Sequence, residues 1–154
     1  MEDSGARRSM IFTDLGIVTT TAKCGPALTR TMLSEMTQGR PDVVVFELGD
    51  GILGAYGVEA ILAEADIRQA LSAVVLSAND PVAAWGGVKL LRERFDIEPC
   101  AVTGPATDNA VGVNIIQEQM GVRAVNAMSA GAELGDHIID SLGLGAQLAR
   151  AAAE

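Results

Sequence analysis

Apolar positions along the chain fall into five short, nearly continuous runs separated by longer stretches with helical spacing. The runs are residues 9–14, 42–48, 73–78, 98–102 and 124–127. Two of them, Val43-Val44-Val45-Phe46 and Ala73-Val74-Val75-Leu76, carry no polar interruption. That pattern predicts strands covered on both faces, as in a parallel sheet. Between the runs, Leu28, Met32, Leu33 and Met36 share one face of a predicted helix over 26–36. Val58, Ile61, Leu62 and Ala65 do so over 57–71, and Val82, Trp85, Val88 and Leu91 (or Leu90) over 81–95. Val113, Ile116 and Met120 line a helix over 109–120 that stops at Gly121. A last helix over 132–153 is expected to break near Gly143 and Gly145. Pro26 and Pro81 suit first helical turns, where a missing N–H is no loss.

The strand–helix alternation predicts helices on both faces of the sheet through right-handed crossovers. The expected fold is a Rossmann-like three-layer αβα sandwich with a mainly parallel five-stranded sheet. It forms one domain over 1–154, with 1–8 and 146–154 expected to fray. No glycine-rich phosphate loop precedes the first predicted strand. Two readings follow: a complete small sheet, or the remainder of a larger domain.

Composition narrows the class. The chain is 49% hydrophobic but only 3% aromatic, so the core must be aliphatic, and Trp85, Met32 and Met36 are assigned to it. Against 11 basic residues stand 20 acidic ones, a formal charge of −9. Such a surface repels phosphate backbones, so no nucleic-acid partner is expected. No run approaches the ~20 apolar residues of a membrane span, and residues 1–8 lack a signal-peptide apolar stretch. A cytoplasmic protein is expected. Cys24 and Cys100 lie far apart and are read as free thiols. One histidine, His137, and no CxxC argue against a zinc site, and His137 is read as a helix-face residue.

In a parallel sheet the segments after each strand share one edge, where open α/β sheets bind ligands. The sharpest of them is Gly49-Asp50-Gly51-Ile52-Leu53-Gly54, a GxGxxG between a predicted strand and a predicted helix. Glycines there admit a close ligand, and a helix N-terminus favours an anion. Asp50 in the loop opposes a pyrophosphate, and Asp80 is further on than the ~20 residues usual for a ribose-binding carboxylate. Glu47 and Asp50 flank this loop, either as an acid/base pair or water-mediated metal site, or as a solvated Asp and an ion-paired Glu. The other wall of the expected cleft is Asn79, Asp80, Thr103, Gly104, Thr107, Asp108 and Asn109. For Asp80, Asp108 and Asn109, helix capping is the competing reading. Residues 16–23 hold the hydroxyls Thr19, Thr20 and Thr21 but no Gly-Lys pair, so they form no complete phosphate loop.

The run Asp42-Val43-Val44-Val45-Phe46-Glu47-Leu48-Gly49-Asp50-Gly51, preceded by the helix over 26–36, resembles the second half of P-loop proteins of the dethiobiotin-synthetase-like group. That resemblance implies Glu47, Gly49 and Gly51 near a nucleotide's metal, and Asn79-Asp80 or Asp108-Asn109 near its base. The Walker loop of that group has no counterpart here. The sequence thus leads to a small-molecule-binding domain for a nucleotide or other anionic metabolite. Two alternatives accompany it: an NAD(P)-dependent oxidoreductase using the GxGxxG, and a non-catalytic subunit completing a site with a partner chain. A homo-oligomer or partner subunit is expected.

Overall fold

The computed structural model describes residues 2–145; the predicted fraying at 146–154 and the end of the last predicted helix lie outside them. The chain divides into two compact units, the first running to Ala70 and the second from Leu71.

The first unit is helical. α1 (Gly25–Thr37) starts where predicted, with Pro26 in its first turn. It packs on α2 (Val58–Ala63), which buries Val58, Ile61 and Leu62. α3 (Ala65–Ala70) follows at once and buries Ile67. The single helix predicted over 57–71 is therefore two. Glu64 breaks it by adopting extended backbone, with its carboxylate held by Arg30 of α1. Arg30 also grips Asp66 through Nε at 2.7 Å and a terminal nitrogen at 2.8 Å. Arg68 donates to the Leu62 carbonyl at 2.7 Å, satisfying a group the interrupted helix leaves open.

Two predicted strands are absent from this unit. In place of a strand over 9–14, the chain forms a 3-10 turn at Phe12–Leu15. Asp14 reaches back to accept the Ile11 N–H at 2.9 Å, and Gly16 closes the turn at φ 74°. A local side-chain bond has displaced the ladder. Residues 42–48 keep the two-residue alternation of an extended chain: Val43, Val45 and Glu47 are exposed, and Val44, Phe46 and Leu48 half-buried. No strand of the described residues pairs with them.

The second unit holds the sheet, with three strands rather than five: β1 (Val75–Ser77), β2 (Ala101–Thr103) and β3 (Arg123–Ala124), parallel, in the order β1-β2-β3. Val75, Leu76 and Ser77 lie beside Ala101, Val102 and Thr103; Ala101 and Val102 lie beside Arg123 and Ala124. α4 (Pro81–Phe95) and α5 (Ala110–Met120) contribute to one core with Val102 and Ala124, in which Val88, Val102 and Ile116 are fully buried. Each such side chain contributes about 1.5–3 kcal/mol. α6 (Gly131–Ser141) contributes Leu134 to a second cluster with Ala101 and Val125.

Small residues permit the close packing. A Cβ at Gly87 of α4 would lie 2.7 Å from Leu76 of β1, and one at Gly112 of α5 only 2.1 Å from the Ala106 carbonyl oxygen. The predicted inner face of α4 is corrected. Ala84, Val88, Leu91 and Phe95 are buried, whereas Val82 and Trp85 are 77% and 51% exposed. Trp85 instead carries the Lys89 ammonium over its ring at 5.2 Å. Arg92 of α4 donates to the Met120 carbonyl at 2.9 Å and holds Glu98 through two bonds, which keep the Glu98 carboxyl below its ordinary value.

Candidate functional site

The predicted site residues divide between the two units, and each group has its own geometry. In the first unit, Glu47, Gly49 and Asp50 border a cavity of about 500 Å³, within the ~300–1,000 Å³ usual for small-molecule sites. Its floor and walls come from Gly25, Leu28, Thr29 and Met32 of α1, from Val58 and Ile61 of α2, and from Phe12, Phe46 and Tyr56. Val18, Thr19, Thr20 and Leu48 complete it.

Local sequence explains the shape. Asp50 and Gly51 both take positive φ, 68° and 83°, and turn the chain sharply after Gly49. A Cβ at Gly54 would come within 3.0 Å of the Asp50 carbonyl, so the loop folds back on itself there. Gly57, at φ 89°, passes so close to residues 21 and 22 that a Cβ would sit 2.5 Å from the Thr21 carbonyl. This contact fixes the start of α2 against the segment leading into α1. There Thr21 and Cys24 are hydrogen-bonded, side chain to side chain, at 3.3 Å, and the bond holds the Cys24 thiol below its ordinary pKa.

The GxGxxG is therefore not a strand–turn–helix phosphate loop. No strand enters it, and the next helix begins only at Val58, beyond Gly57. Of its glycines, Gly51 supplies a positive φ and Gly54 close approach, while Gly49 is required for neither. The charged side chains lining the cavity are Glu47 and Asp50, both carboxylates. Its apolar walls are Phe12, Val18, Leu28, Met32, Phe46, Leu48, Tyr56, Val58 and Ile61.

In the second unit the strand-end residues do come together at the carboxyl edge of the sheet, and most of their side chains are bonded to nearby backbone or to Asn126. Asp80 caps α4 by accepting the Ala83 N–H at 2.8 Å; Asn109 caps α5 by accepting that of Gly112 at 3.0 Å. The Thr107 hydroxyl donates to the Gly104 carbonyl at 2.7 Å, and Thr103 Oγ1 accepts the Ala127 N–H at 3.0 Å. Asp108 accepts from the Asn126 amide at 2.8 Å, while Asn126 accepts from the N–H groups of Met128 and Ser129. Gly104, at φ 87°, lies where a Cβ would be 2.7 Å from Ser77 Oγ. Asn79 is exposed beside this network. His137 has a partner that sequence did not reveal: Nε2 lies 2.8 Å from the Cys100 carbonyl oxygen. Both cysteines are free thiols. Among the described residues no three His, Cys, Asp or Glu side chains converge to hold a metal, and no helix is long and apolar enough to cross a membrane.

Sequence reasoning marked the acidic rim of the cavity and missed most of its wall. Leu28 and Met32 were legible as one helix face, and Thr19 and Thr20 as a hydroxyl cluster. Phe12 and Tyr56, far apart along the chain, gave no signal. Compared with protein-family models, curated proteins and solved structures, the chain has no match.

Proposed function

We propose that this protein binds a small molecule in the cavity of its first unit. The ligand lays an apolar body against Phe12, Leu28, Met32 and Phe46 and directs a hydrogen-bond donor or positive charge at Glu47 and Asp50. The observation that carries this reading is the lining itself: apolar walls, threonine hydroxyls, and two carboxylates as the charged groups. Both carboxylates are exposed at the rim, where their negative charge attracts donors and cations and repels anions. A nucleotide, the ligand class of the P-loop group that residues 42–51 resemble, fits if its phosphates point away from that rim.

Thermal unfolding of the full chain with a panel of aryl and alkyl amines, ATP, NADH, acetyl-CoA and inorganic phosphate tests this. A bound member at about 100 times its dissociation constant adds about 2.7 kcal/mol of stability. Leu28→Trp, which fills the cavity, is expected to remove the shift. Glu47→Gln is expected to weaken an amine and strengthen an anion. No shift with any member, or a shift that survives Leu28→Trp, contradicts the proposal.

A further inference from the structure

The threonines of α1 use their hydroxyls differently. Thr31 and Thr37 each donate to the carbonyl four residues back, at 3.0 and 2.8 Å, a common fate of a hydroxyl inside a helix. Thr29 does not. It is 2% exposed and lines the cavity of the first unit. Among the described residues, its hydroxyl has no hydrogen-bond partner. Buried polar groups are nearly always paired, so an unpaired one facing a cavity points to a partner held in that cavity.

The lining sorts by depth. Glu47 and Asp50 are exposed, whereas Gly25, Thr29, Val58 and Ile61 are buried. Gly25 has no side chain, and Val58 and Ile61 are apolar. Among these buried lining residues, Thr29 therefore supplies the side-chain hydrogen-bonding group. A hydroxyl donates one bond, accepts up to two and bears no charge. It suits a neutral oxygen; an ionised group among these apolar walls would lack a counter-charge. We infer that Thr29 is the specificity-determining residue of the cavity. It selects an amine whose apolar body ends, remote from the ammonium, in a hydroxyl or carbonyl oxygen. This rests on the small-molecule reading above and adds a second recognition point, at the buried end.

The test is calorimetric titration of the full chain with 4-hydroxyphenyl-alkylamines of increasing linker length, each against its phenyl counterpart. At the best length the hydroxylated amine is expected to bind about fivefold or more tightly than its counterpart. Thr29→Val keeps the side-chain shape and is expected to cancel that preference, leaving the phenyl amine's affinity unchanged. Thr29→Ser, which restores a hydroxyl, is expected to keep it. Without ligand, Thr29→Val is expected not to lower the urea midpoint, since the hydroxyl it removes makes no bond within the protein. Equal affinities in the unmodified chain, or a preference that survives Thr29→Val, overturn the inference while the small-molecule reading stands. A lowered midpoint also overturns it, because the hydroxyl would then have a partner within the fold. Binding of no amine in either series overturns both.

Discussion

Two glycines in helices of the second unit show how one residue type answers to different forces. Glycine in a helix interior is ordinarily less favourable than alanine by about 0.5–1 kcal/mol. At Gly135 of α6 a Cβ meets nothing within 4 Å, so Gly135→Ala is expected to stabilise by that amount. At Gly112 of α5 the same atom would lie 2.1 Å from the Ala106 carbonyl oxygen, so Gly112→Ala is expected to destabilise by about 2 kcal/mol or more. Urea midpoints of the two variants check both signs; stabilisation by both would refute the packing given for α5. In the first unit, Asp66 has its pKa lowered to about 2, chiefly by the Arg30 hydrogen bond. A depressed carboxylate contributes fully above its ordinary value and loses that contribution as the pH falls through its folded value. Stability should therefore decline from roughly pH 4 toward pH 2. Asp66→Asn should flatten that part of the acid limb while slightly lowering stability at neutral pH, the pair being solvent-exposed.

At the scale of elements, the N-caps Asp80 and Asn109 are the local features on which α4 and α5 depend. Asp80→Ala and Asn109→Ala are each expected to cost about 1 kcal/mol, measured by chemical unfolding. Because both side chains are used within the second unit, neither change should alter small-molecule binding in the cavity; a loss of binding would restore them as site residues. These caps were readable in sequence because a helix terminus is specified by a few adjacent residues: a polar cap, a first-turn proline, a closing glycine. Strands are not specified that way. Residues 42–48 have the composition of a central strand, yet a ladder needs a partner that composition does not reveal. Residues 9–14 were diverted by one Asp14 side-chain bond. The helical face of α4 differs from its apolar spacing at Trp85, which that spacing places inside. In fact its ring lies outside with Lys89, and Ala84, with less area to bury, takes the inner position.

At the scale of the molecule, the parallel sheet and its two core clusters lie in the second unit, and the cavity lies in the first. The sheet-edge cluster anticipated from sequence does assemble from Asp80, Thr103, Thr107, Asp108 and Asn109, and its polar groups are taken up by capping, by nearby backbone and by Asn126. Spacing alone showed that these residues would share an edge, but not that their hydrogen bonds would be internal. The cavity was the reverse case: its rim was visible at Glu47 and Asp50, and its walls depended on long-range packing. The account's central claim is that the ligand site belongs to the first unit. A ¹H–¹⁵N NMR titration of the full chain, with whichever panel compound stabilises it, tests that claim most directly. The expected result is that shift changes concentrate at residues 18–20, 28–32 and 46–50. Changes confined to residues 79–80, 103–109 and 126–129 would contradict it.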